Sequence, residues 1–140
     1  MSNWSSTIMG GIIPLDCQNH FYKLMGITDN DYLDDKTHLE GTNKKLVEEH
    51  LAILFEEAAK ANHNKTIMYQ VLAKIILQVG AKITEYQRVI LLTECAETAI
   101  GNRAKYIVEL IEKIISHEED KISLLTPDPL INKILTFLNP

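Results

Sequence analysis

Met68-Tyr69-Gln70-Val71-Leu72-Ala73-Lys74-Ile75-Ile76-Leu77-Gln78-Val79-Gly80 is the stretch on which the fold turns. Met68, Val71, Leu72, Ile75, Ile76 and Val79 return every three to four positions, which places them on one wide face of a helix. Asn64 stands where a cap belongs, and Gly80 is the residue type that ends helices in a left-handed turn. The spacing predicts a helix over 65–79.

Reading toward the C-terminus, Thr84 and Gln87 have the spacing of a capping box and open the next helix. It carries Val89, Ile90, Leu92, Cys95, Ala96 and Ala99 and is expected to stop at Gly101. The run from Val89 to Leu92 is apolar on all sides, so this helix is expected to be central and well buried. A further helix follows Asn102, with Ala104, Ile107, Val108, Ile111, Ile114 and Ile115 as its stripe. Its isoleucines favour strand by propensity, but strict alternation is absent and the run is too long for one strand. Thr126-Pro127-Asp128-Pro129 then sets up a last helix whose Leu130, Ile131, Ile134, Leu135 and Leu138 face inward.

Toward the N-terminus, Val47, Leu51, Leu54, Phe55 and Ala58 predict a helix over 42–61. Thr37 and Glu40 have capping spacing too, and Gly41 interrupts that earlier turn. Residues 28–37 are polar and acidic and read as loop. A helix over 14–25 starts at Pro14, whose missing N–H has no intrahelical partner in a first turn, and ends at Gly26. Residues 1–13 are expected to be extended. Short connections such as 80–84 and 101–102 imply neighbouring helices. The expected architecture is all-α: one irregular bundle of five to six helices spanning 1–140.

The bulk numbers agree with that class. At 140 residues, 46% hydrophobic and 24% charged, one domain with its own core is expected, burying roughly two-thirds of the unfolded surface. A net charge of −5 argues against nucleic acid and membrane surfaces as partners, since both favour a basic patch. Glu48-Glu49, Glu56-Glu57 and Glu118-Glu119-Asp120 read as solvated helix faces. Cys17 and Cys95 are far apart and form no C-x-x-C pair, which fits two buried thiols in a reducing, cytoplasmic compartment. No stretch reaches the ~18 apolar residues of a membrane span. No Lys or Arg precedes Lys23, so no secretory signal is expected.

Few residues carry chemistry. His20, His38, His50, His63 and His117 are scattered, and none has a glutamate three positions before it, as a di-iron helix pair needs. H-E-x-x-H is absent. Asp29 and Asp31 alternate like calcium-loop ligands, but the glycine required at the sixth loop position is missing. No metal and no cofactor is expected. Asp16, Cys17 and His20 form the one arrangement resembling a catalytic site. Asp16 and His20 are four apart, Cys17 and His20 three apart, and a thiol near a helix start has a lowered pKa. The plain reading of the same residues is a buried small hydrophobe beside a pair that orders the turn. Gly10 and Gly11 ahead of a helix offer weak anion binding, without G-x-G-x-x-G or Walker motif. Trp4 reads as an anchor for the first residues, or as part of a ligand or partner pocket with Phe21 and Tyr22.

Two stretches, Trp4 to Asp16 (WSSTIMGGIIPLD) and Tyr69 to Thr84 (YQVLAKIILQVGAKIT), together resemble small bacterial and phage proteins related to the family called domain of unknown function 4259. Members tend to open with a tryptophan, a glycine-containing turn and a helix carrying Leu-Asp. A later helix ends in glycine and leads to a capped one. Trp4, Gly10, Gly11, Pro14, Leu15, Asp16, Gly80 and Thr84 match. Ile12 and Ile13 depart from it, standing where members place an acidic and a small polar residue. The resemblance implies a fold class and a bacterial or phage setting, and no reaction.

The function expected is therefore a small binding or interaction protein without catalysis, its partner another protein. Tyr32, Tyr69, Tyr86 and Tyr106 are its candidate contact residues wherever they are exposed. The alternative is a small hydrolase or thiol enzyme centred on Asp16, Cys17 and His20.

Overall fold

A computed structural model describes residue 8 and residues 12–27, 41–97 and 102–125. Among them are five helices and no strand: α1 (Ile12–Leu24), α2 (Gly41–Lys60), α3 (Lys65–Val79), α4 (Glu85–Glu94) and α5 (Asn102–Ile115). The protein is an all-α bundle. The last helix expected after Asp128, the loop over 28–37 with Tyr32, the following His38, the capping pair Thr37 and Glu40, and Trp4, Gly10 and Gly11 lie outside the described residues.

α3 is the axle. It packs against each of the other four helices, with α1 and α2 touching each other on one side and α4 and α5 on the other. Eleven of its residues are buried, including Tyr69, Ala73 and Leu77 on the sides away from the expected stripe. Val71, Leu72 and Ala73 are wholly inaccessible. Each large apolar side chain so buried contributes roughly 1.5–3 kcal/mol. The expectation that the Val89–Leu92 helix is the central one is overturned. In α4 only Leu91 is buried, and Val89 is 57% exposed. α3 escaped that assignment because Gln70, Lys74 and Gln78, spaced four apart, give it a polar strip along one side. Gln70 and Gln78 are nonetheless buried, and Lys74 donates to the buried Gln18 Oε1 (2.6 Å).

The helix ends follow local chemistry. α1 begins two residues before Pro14, so Ile12 and Ile13 belong to its first turn and not to an extended segment. Pro14 still falls in the turn that needs no intrahelical N–H bond. At the other end Gly26 has φ +79°. Ile27 N–H reaches Tyr22 O (2.9 Å) and Gly26 N–H reaches Lys23 O (3.0 Å), the paired bonds of a Schellman stop. Cys17 and Phe21 of α1 and Met25 just beyond it are buried, while Leu15 is 50% exposed. Asn64 occupies the cap position of α3, but its side chain makes no capping bond. Thr84 and Gln87 do form the reciprocal capping box of α4, through Thr84 Oγ1 (3.0 Å) and Gln87 Oε1 (2.9 Å).

α4 ends at Glu94, well before Gly101. Just past this end Gln70 Nε2 donates to Cys95 O (3.0 Å). On α5 the buried face is Tyr106, Ile107, Leu110 and Ile114, and the expected stripe members Val108 and Ile115 are 54% and 60% exposed. Arg88 of α4 donates to Ile114 O (2.6 Å) and Ile115 O (3.3 Å). A cation thereby meets the negative end of the α5 dipole and satisfies its last carbonyls.

The C-terminal end of α3 is plugged by the segment after α5. Ser123 N–H donates to Leu77 O and Asp120 N–H to Gly80 O, both at 2.8 Å. His117 Nε2 lies 2.6 Å from Ala81 O, and since a carbonyl only accepts, that nitrogen carries the proton. Lys44 of α2 ties the plug down through Glu119 (3.0 Å) and Asp120 (3.3 Å), while also meeting Glu48 (3.1 Å).

Candidate functional site

Asp16, Cys17 and His20 share α1 but do not assemble. Cys17 is buried, and burial first, then the charge of Asp16, raises its thiol pKa. The helix start was expected to lower it. His20 turns away to α2, its Nε2 2.9 Å from Glu57 Oε1. That hydrogen bond is the main reason the Glu57 carboxyl lies below its ordinary value. The pair ties α1 to α2. Cys95 is also buried, and burial pushes its thiol far up. Neither thiol has the environment that makes a thiolate nucleophile at neutral pH.

The other histidines are spread over the molecule. His50 Nδ1 meets Leu46 O one turn back (2.8 Å). His63 is exposed. His117 is buried, and its Nδ1 has no hydrogen-bond partner among the described residues. No three His, Cys, Asp or Glu side chains among the described residues group closely enough to hold a metal ion.

The sequence reading missed a polar cluster between α3 and the stretch joining α4 to α5. Gln70 is wholly buried. Its Nε2 donates to Glu97 Oε1 (2.6 Å), and its Oε1 accepts from Arg103 Nη2 (2.9 Å). Arg103 closes the ring onto Glu97 through Nε (3.2 Å) and Nη2 (3.1 Å). Burial alone would raise the Glu97 carboxyl. The bonds from Arg103 and Gln70 overcome it and hold the pKa below the usual carboxylate value. An open cleft of about 420 Å³ adjoins the cluster, lined by His63, Asn64, Lys65, Thr66 and Ile67 together with Glu97 and Arg103. Glu97 and Arg103 are six residues apart, but Gln70 lies 27 and 33 residues before them, so no short-range spacing announced the cluster.

The aromatic candidates divide sharply. Tyr22, Tyr69 and Tyr106 are buried, and Phe21 is wholly inaccessible. Tyr69 meets Phe55 edge-on, and Tyr106 carries the Lys105 ammonium over its ring at 5.1 Å. Tyr22 is thus part of the core and lines a small enclosed gap with Met25, Ile27, Val47 and Gln78. Tyr86 alone of the described tyrosines points outward, at 75% exposure, followed one turn later by Val89. On α5, Val108 and Ile115 are two turns apart on the same side of the helix. Other large apolar side chains about half exposed are Leu15 of α1, Ile53 of α2, and Ile122 and Leu124 after α5. No helix among the described residues is long and apolar enough to cross a membrane. No family model, curated protein or solved structure matches the chain.

Proposed function

We propose that this chain is a small interaction module without catalysis, whose partner is another protein and whose contact surface lies on α4 and α5. The observation that carries the reading is the outward placement of Tyr86, Val89, Val108 and Ile115, each more than half exposed. Large apolar side chains carried on helices need little backbone ordering on binding, and an aromatic anchor among them is the usual source of binding energy. The thiol-enzyme alternative has no comparable support, because Cys17 is buried and His20 is engaged by Glu57. A bacterial or phage setting is proposed on the resemblance of the Trp4–Asp16 and Tyr69–Thr84 stretches.

The test begins with a partner recovered on the tagged chain and then purified. Calorimetry compares the wild type with the double variants Tyr86→Ser/Val89→Ser and Val108→Ser/Ile115→Ser. At least one pair is expected to weaken binding about tenfold or more, with an unchanged helical spectrum and thermal midpoint, while Cys17→Ser binds as wild type does. Wild-type affinity in both double variants, or a turnover that Cys17→Ser abolishes, overturns the reading.

A further inference from the structure

We draw no further inference here: the strongest candidate, the cleft between the start of α3 and the Glu97–Arg103 pair, is a helix N-terminus whose neighbouring charges are satisfied by one another, and no second feature of it points to a ligand.

Discussion

At Gly80 the chain turns left-handed, with φ +70°, and a Cβ there would sit 3.0 Å from the carbonyl carbon of Asp120. Gly26 has the same handedness, φ +79°, with nothing within 4 Å of such a Cβ. The two glycines separate conformational strain from steric clash. Gly26→Ala is expected to cost about 1–2 kcal/mol, the penalty of a left-handed residue. Gly80→Ala is expected to cost more, because the obstacle is backbone held by the Gly80–Asp120 hydrogen bond. Urea midpoints of the two variants measure the difference, and equal losses would remove the plug from the account. Glu97 makes a second prediction at this scale. Its folded-state pKa is depressed, so its contribution is present above the ordinary carboxylate value of about 4.3 and is lost as pH falls through the folded value. Glu97→Gln should be less stable than wild type at pH 7 and should lose less stability on acidification. Equilibrium unfolding at pH 7 and at lower pH values reads both, and an unchanged pH slope counts against the ring.

Among the helices, rank is set by packing and not by local apolarity. Leu72 in α3 is fully buried, while Val89 in α4 is 57% exposed. Leu72→Ala is expected to cost about 2–5 kcal/mol, and Val89→Ala to stay within about 0.5 kcal/mol. Denaturant unfolding of the two variants checks the order, and a larger loss at Val89 would restore α4 to the centre. This order was only half legible in the sequence. The stripe from Met68 to Val79, the Gly26 and Gly80 stops and the Thr84–Gln87 box all lie within a few residues, where periodicity and end chemistry act directly. The burial of Gln70 depends on partners 25 or more residues away, such as Cys95. The wide stripe of α5 shows the same limit. Its isoleucines mark a helix correctly, but which of them meets α3 is decided only when α4 takes its place through Arg88. Of the candidate site, the proximity of Asp16, Cys17 and His20 along α1 was legible, and the destination of the His20 ring was not, because Glu57 belongs to another helix.

Over the molecule as a whole, the core is organised around one helix that touches the other four described helices and is closed at its end by a distant segment. Apolar side chains stand in water on both flanks, Leu15 of α1 and Ile53 of α2 among them. On the α1–α2 side His20–Glu57 bridges the two helices. On the α4–α5 side Tyr86, Val89, Val108 and Ile115 remain in water. A bundle built this way opens from its flanks and keeps its axle longest, since protection follows buried contact density. Native-state hydrogen exchange measured amide by amide tests that claim most directly. The amides from Val71 to Leu77 are predicted to exchange only through global unfolding, with those of α4 released earlier through local opening. Amides of α4 that outlast those of α3 would contradict the account.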